Sequence, residues 1–415
     1  MTSSVNPDQT RVETRRTSSD GFPLSGLLAL SAAIFISMTT EFLPGGLIPL
    51  IAAEFDRAPA EVGNLITVFA LTVILTAAPL ALLTRRVPRK MMVLIAFALV
   101  GAGNIVTIVA TTFEMLLAAR VLGALAHGAF WSVVAAYPAY LLRPAQLGKA
   151  TAVTAAGGSV AGVLGIPIGN ALGQAFGWRV AFGVLAVLVV IVWLLIAWKL
   201  PVITAPEAHS PSSPPARATK DSTLPAVLII CLLIILVVAA QNSFGTFNVV
   251  WLLDVVHMPA AAVPVILLIG GAASAVGVAV TGALYSMFPI RLFMGALIAL
   301  IALLAVMPTA AGSQPAVWIL SAVMGAVFGG VPVMLQTRML WAASPSIRGT
   351  AAALQTTAFN VGIGGGAFLG GVLINQTGLG ALPYWAAAVM VLALTAAVSW
   401  EAHVNRQLNK NGTES

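Results

Sequence analysis

The sequence predicts an all-α membrane protein with twelve transmembrane helices in two pseudo-symmetric six-helix bundles. Of its 415 residues, 59% are hydrophobic and 8% are charged, and the mean hydropathy is +1.00. Soluble domains carry roughly 25% charged residues, so this much apolar surface requires lipid as the solvent. The apolar runs are long and rich in glycine, and they lack the ten-residue alternation of a membrane barrel.

Apolar runs long enough to cross a bilayer recur along the whole chain, and about 20 residues suffice for one helix. We expect spans at residues 24–50, 62–83, 90–111, 114–141, 150–174, 180–200, 224–250, 263–286, 291–311, 315–340, 350–374 and 381–400.

The distribution of basic residues predicts the orientation. All but three of the 20 Lys and Arg residues lie on the side that holds both termini, whereas Arg57 and Arg179 lie on the opposite side and Arg120 lies within a span. Cytoplasmic loops carry such an excess, so both termini are expected in the cytoplasm. The basic cluster between spans 2 and 3 consists of Arg85, Arg86, Arg89 and Lys90.

A Pro-, Ser- and Ala-rich stretch divides the chain. It predicts a flexible linker at residues 201–223. The expected division is an N-terminal tail at 1–23, a first bundle at 24–200, a second bundle at 224–400 and a C-terminal tail at 401–415. Similar short motifs recur about two hundred residues apart, such as Gly148-Lys-Ala-Thr-Ala and Gly349-Thr-Ala-Ala-Ala. A parallel repeat of six-helix halves is typical of transporters whose site lies between the halves.

Glu41 is the only carboxylate inside a hydrophobic helix. A charge at that depth costs at least ~2.5–3.5 kcal/mol, so Glu41 is a candidate functional residue. At 1.5 Å per residue, Arg120 lies about 9 Å, Glu41 about 15 Å and His127 about 20 Å from the outer surface. We therefore predict a proton-coupling group of Glu41, Arg120 and His127, in which Glu41 pairs with Arg120 when charged.

Structural alternatives remain for each of these residues. Arg120 is also compatible with a structural charge pinned by backbone carbonyls, Glu41 with a buried protonated acid, and His127 with a packed neutral imidazole. Trp131 shares the helix face of Arg120 and His127, and it is either a cavity wall or packing.

The second half has no deep charge, so its polar candidates are neutral. They suit hydrogen bonds to an uncharged substrate, and adhesion between helices is the alternative. The predicted substrate cavity comprises Glu41, Trp131, Gln241, Asn242, Asn248, Gln336 and Asn360.

Four motifs in order resemble the drug:proton antiporter branch of the major facilitator superfamily. They are Thr39–Leu47 in span 1, Arg120–Trp131 in span 4, the glycine-proline motif of Gly165, Pro167, Gly169 and Gly173 in span 5, and Phe359–Gly366 in span 11. The resemblance is greatest to bacterial sugar-efflux, nucleoside-efflux and chloramphenicol-resistance members. It implies that the glycine motif packs against the other half and limits leak. One departure is Thr84, which stands where the family has an Asp in the loop between spans 2 and 3.

The resemblance implies export of a small polar or amphipathic molecule (a sugar, a nucleoside or a drug) by proton antiport through alternating access. A proton-coupled importer or facilitator is the alternative, and a channel or receptor is a remote one. The sequence has no Gly-x-Ser-x-Gly, no metal-spaced His or Cys cluster and no P-loop, so we expect neither an enzyme nor a cofactor or metal. We expect a monomer in the lipid of a bacterial inner membrane, with a small-molecule substrate and protons as partners and no nucleic acid.

Overall fold

The computed structural model describes residues 22–84, 86–134, 137–142, 144–202 and 221–413. These residues form fifteen α-helices. The first half contains α1 Leu24–Phe55, α2 Pro59–Leu83, α3 Arg89–Val109, α4 Phe113–Val134, α5 Tyr137–Leu141, α6 Pro144–Val160, α7 Ile166–Phe176 and α8 Trp178–Lys199. The second half contains α9 Leu224–Gly245, α10 Asn248–Asp254, α11 Val263–Leu284, α12 Pro289–Val306, α13 Gln314–Ala342, α14 Arg348–Thr377 and α15 Leu382–Thr413.

The predicted all-helical class is confirmed. The described part of the chain contains twelve helical stretches that are long and apolar enough to cross a membrane. Ten of them are built on single helices, whereas span 5 joins α6 to α7 and span 7 joins α9 to α10. Residues 1–21, residue 85 and most of the predicted linker, residues 203–220, lie outside the described residues.

Span 5 changes its helical geometry next to Pro167. Proline has no N–H, so the bond that residue 167 would donate to the carbonyl of Val163 is missing. Residues Ala161–Gly165 form a π-helical turn here, and the N–H of Ile166 donates to the carbonyl of Ala161. Such turns often occur at functional sites.

Span 7 is broken between α9 and α10, and the ring of Phe247 fills the space beside the break. This side chain is fully buried against two glycines, Gly63 of α2 and Gly370 of α14. A Cβ atom on Gly63 would lie 2.5 Å from Cζ of Phe247, and one on Gly370 would lie 2.9 Å from Cε2. Gly63 accepts a larger residue only if the ring moves, and Gly370 is also blocked by the backbone carbonyl of Ser243.

The backbone repeats itself after 201 residues. The four described residues with positive φ are Asp56 and His257, at 49° and 53°, and Gly177 and Gly378, at 89° and 83°. Each pair has the same separation in sequence, and each lies at the corresponding helix end of its half. The left-handed conformation is uncommon outside glycine, so the match of Asp56 with His257 is strong support for an internal repeat.

The two halves touch mainly at the end of the bundle opposite the chain termini. There α2 packs on α14, where Thr67 donates from Oγ1 to the carbonyl of Gly364 at 3.2 Å. Further contacts join Gly371 to Ala60, and Gly271 of α11 to Gly162 of span 5. The structure is thus closed at this far end.

The segment that precedes α9 is attached to the loop between α13 and α14. The carboxylate of Asp221 accepts hydrogen bonds from the Thr223 hydroxyl at 2.6 Å and from the hydroxyls of Ser344 and Ser346, both at 2.7 Å. These bonds, that from Thr223 first, hold the pKa of the Asp221 carboxyl below its usual value.

Candidate transport site

A buried acid–base pair lies between α1 and α4. Oε2 of Glu41 is 3.5 Å from Nε2 of His127, and the two side chains are 5% and 8% exposed. On the other side of the imidazole, Nδ1 lies 3.0 Å from the hydroxyl of Ser37. Ser37 is one helical turn before Glu41, so both project from the same face of α1. The pair therefore places two titratable side chains in contact where bulk water is excluded.

Arg120 is held by backbone carbonyls. Its Nη1 donates to the carbonyl of Thr40 at 2.8 Å, Nη2 to that of Glu41 at 2.7 Å, and Nε to that of Leu65 at 3.2 Å. Its guanidinium also lies 4.2 Å from the centre of the Phe69 ring. Each of the three guanidinium nitrogens therefore donates to a backbone carbonyl.

Pro44 supplies the physical reason for this arrangement. In an α-helix the carbonyl of Thr40 accepts from the N–H of the residue four positions later, and here that residue is proline. The carbonyl would remain buried without a donor, and Arg120 satisfies it. The expected ion pair between the side chains of Glu41 and Arg120 does not form: among the described residues, the ion-pair partner within 4 Å of the Glu41 carboxylate is His127.

Two cavities lie within the bundle, and neither is lined by Glu41 or His127. One has a volume of about 190 Å³ and is lined only by spans 7, 8 and 10, with Gln241, Asn248, Ser274 and Ser321 as its polar residues. The other, of about 170 Å³, lies between the halves, with Phe42 and Ile66 from the first half. Asn242, Thr246 and Asn248 line it from the second half.

Three of the seven predicted cavity residues, Gln241, Asn242 and Asn248, line these cavities. Glu41 and Trp131 line neither, and the Trp131 ring lies 6.0 Å from that of His127. Asn360 is buried and donates to the carbonyl of Thr356, whereas Gln336 is exposed. The sequence reasoning missed Ser37, Ser274 and Ser321. Only Ser37 had a signal, its spacing of four from Glu41.

The glycine motif of span 5 packs against its own half, which corrects the expectation drawn from the resemblance. A Cβ on Gly165, Gly169 or Gly173 would lie 2.1 to 2.5 Å from the side chains of Thr39, Leu43 and Leu47 in α1. Contacts of span 5 with the other half include those of Gly162 and Val163, on the π-helical turn, which touch Gly271. A π-helical turn shifts the register of the residues around it, so the residues of the turn and those of the glycine motif face different helices.

The basic cluster after span 2 has one clear structural partner. Lys90 donates to the carbonyl of Ala197 at 2.7 Å, near the C-terminus of α8, where a cation is favourable. Thr84 bonds back to the carbonyl of Leu80 at 2.7 Å. Arg86 is exposed, Arg89 begins α3, and Arg85 lies outside the described residues.

Twelve apolar spans in two repeats, with a buried acid–base pair in the first half, a polar cavity in the second half and another cavity between the halves, define a multi-pass membrane transporter. The family model of the Major Facilitator Superfamily matches residues 30–363. The chain therefore belongs to the major facilitator superfamily, whose members are transporters and not enzymes.

Individual comparisons agree with this family. A probable sugar efflux transporter of Mannheimia succiniciproducens is 29% identical over 368 residues, which cover 89% of this chain and 91% of that protein. A bacterial homologue of the human lysosomal transporter Spinster, solved inward-facing and unoccupied, has a TM-score of 0.70 at 16% identity, with 92% of this chain and 96% of that chain covered. The nucleoside transporter NupG has a TM-score of 0.71 at 15% identity, with 91% and 99% covered.

Proposed function

We propose that this protein exports a small uncharged solute of the sugar class from a bacterial cell in exchange for protons. The observation that carries the proposal is the contact between Glu41 and His127. It joins two titratable groups where a fixed charge would be costly, and both belong to the half that holds the kinked helix α1. The similarity to the probable sugar efflux transporter of Mannheimia succiniciproducens supports both the direction and the substrate class.

In the proposed cycle, a proton enters the pair from outside while the substrate cavity faces outward. The protonated, neutral pair favours closure of the far end, and loss of the proton to the cytoplasm resets the carrier. With the termini in the cytoplasm, as the basic residues predict, closure at the far end makes the present structure inward-facing. Release of Ser37 or Glu41 from His127 is the local change that proton transfer brings about.

The test is transport in proteoliposomes across an imposed pH gradient, with radiolabelled lactose, cellobiose and arabinose as substrates. Glu41→Gln, which keeps the shape but cannot lose a proton, should abolish uphill transport and preserve exchange. Glu114→Gln is the matched control, because Glu114 lies on α4 and is 70% exposed. Uphill transport at the wild-type rate in Glu41→Gln would contradict the coupling role, and no transport of any sugar would contradict the substrate class. An importer would accumulate sugar in the opposite direction.

A further inference from the structure

The larger cavity is built entirely from the second half. Its polar groups are the amides of Gln241 and Asn248 and the hydroxyls of Ser274 and Ser321, and its apolar walls include Met324 and Phe328. The cavity has no Asp, Glu, Lys, Arg or His among its lining residues. Amides and hydroxyls both donate and accept, so the set is suited to the hydroxyl groups of a neutral ligand.

One of these groups lacks a partner. Oε1 of Gln241 is buried and accepts no hydrogen bond from the described residues. A buried acceptor without a donor costs free energy until a ligand supplies one. A charged ligand would instead have to lose its hydration with no opposite charge to compensate.

The acid–base pair belongs to the other half. The titratable groups that face Glu41 are Arg120 and His127, both from α4. The neighbouring helices contribute neutral groups: α2 supplies the carbonyl of Leu65, which binds Arg120, and α3 supplies the amide of Asn104, which binds Thr40. Glu41 and His127 line neither cavity, so the groups that exchange the proton and the groups that bind the ligand are separate.

We infer that the substrate is an uncharged polyhydroxyl molecule held by Gln241, Asn248, Ser274 and Ser321, and that it touches no group that carries the coupling proton. This rests on the proposed function and makes it more specific. Proton and substrate then influence each other only through the conformation. The structure offers a contact for this: α1 packs on span 5 at Thr39 and Gly165, and the adjoining π-helical turn contacts Gly271, which lines the cavity.

The experiment measures lactose, cellobiose and arabinose binding to the purified full chain by equilibrium dialysis from about pH 6 to about pH 8, where histidine titrates. The Kd should stay constant in the wild type and in Glu41→Gln. Gln241→Ala should weaken binding about tenfold, the usual effect of one lost hydrogen bond. The matched control is Gln376→Ala, an exposed glutamine in the last turn of α14. Glucuronate and glucosamine, charged sugars of similar size, should fail to compete at pH 6.

Several results would overturn this inference while leaving proton-driven sugar export intact. They are a Kd that changes with pH or with Glu41→Gln, competition by the charged sugars, or equal affinity in Gln241→Ala and Gln376→Ala. Lack of transport of all three sugars would instead overturn the proposed function, and the inference with it.

Discussion

The contact between Phe247 and Gly63 joins the two halves in this structure, in which the far end is closed. Gly63 lies on α2 of the first half, and Phe247 lies at the break of span 7 in the second half. Gly63→Ala places a methyl group where the ring now lies, 2.5 Å from Cζ and 2.7 Å from Cε1. The substitution should therefore raise the free energy of the conformation that is closed at the far end, and should not affect a conformation in which the two residues are apart.

The size of the effect follows from the overlap. Overpacking of a filled core costs about 1–3 kcal/mol. Since the cost applies to one of two conformations, the equilibrium between them should shift roughly 5- to 150-fold toward the far-open state. Alanine is also the better helix former, by about 1 kcal/mol, and a control glycine in a helix removes that contribution. Gly183 of α8 is suitable, because a Cβ there would meet no atom within 4 Å.

The assay is the rate at which an impermeant maleimide, added outside intact cells, labels a cysteine at Val249. This residue is buried and lines the cavity between the halves. The background carries Cys231→Ala, which removes the single natural cysteine. Labelling should accelerate in Gly63→Ala and stay unchanged in Gly183→Ala.

A second change tests the cause. Phe247→Leu shortens the side chain and should return the labelling rate of Gly63→Ala toward that of the control. The reasoning is refuted if Gly63→Ala and Gly183→Ala label at the same rate, or if Phe247→Leu restores nothing.

Three further predictions concern other contacts. Arg120→Ala leaves the carbonyl of Thr40 without a donor, so it should lower the free energy of unfolding by roughly 1–3 kcal/mol, measured as a reduced Tm in detergent. Arg57→Ala, at an exposed position, should change the Tm little. Equal Tm values for the two variants would contradict this. Gly271→Ala brings a Cβ within 2.7 Å of the carbonyl of Gly162, so it should slow transport more than it weakens sugar binding, and an equal loss of both would refute it. The pKa of Asp221 is lowered in the folded chain, so its hydrogen bonds stabilise the fold above the ordinary aspartate pKa of about 4, and this stabilisation is lost as the pH falls. Asp221→Asn should therefore speed hydrogen exchange at the Ser344 amide at neutral pH. Unchanged exchange would disprove the attachment.

The fold could be predicted from the sequence because its main determinant is composition. Apolar runs of sufficient length must become helices in lipid, where each backbone group needs an internal partner. The twelve stretches follow from this alone. Their ends were less predictable: α1 continues to Phe55 and α14 from Arg348 to Thr377, since a helix need not stop where the hydrocarbon does.

The candidate site was predicted only in part. The depth estimate put Glu41 between Arg120 and His127, and in this structure the Glu41 carboxylate contacts His127. Arg120 binds backbone carbonyls, which was the structural alternative to a pair with Glu41. The spacing of Thr40 and Pro44 held this information, because a proline four residues later always frees a carbonyl.

The glycine motif shows a different limit. Its spacing of four predicts a smooth stripe, and the structure has one, but a stripe does not identify the helix that covers it. That depends on the π-helical turn at Ala161–Gly165, which follows from a missing hydrogen bond rather than from hydropathy. Gln336 illustrates the same point, since only the packing of span 10 decides that its side chain is exposed.

The proline in α1 also determines the charge that the acid–base pair experiences. While Pro44 is present, the carbonyl of Thr40 accepts a hydrogen bond from Nη1 of Arg120, and the guanidinium is held by backbone carbonyls of α1. Replacement of this proline by alanine would give the carbonyl a donor of its own and release the arginine toward the carboxylate. A residue with no titratable atom thus helps to fix how Arg120 is held beside the acid–base pair.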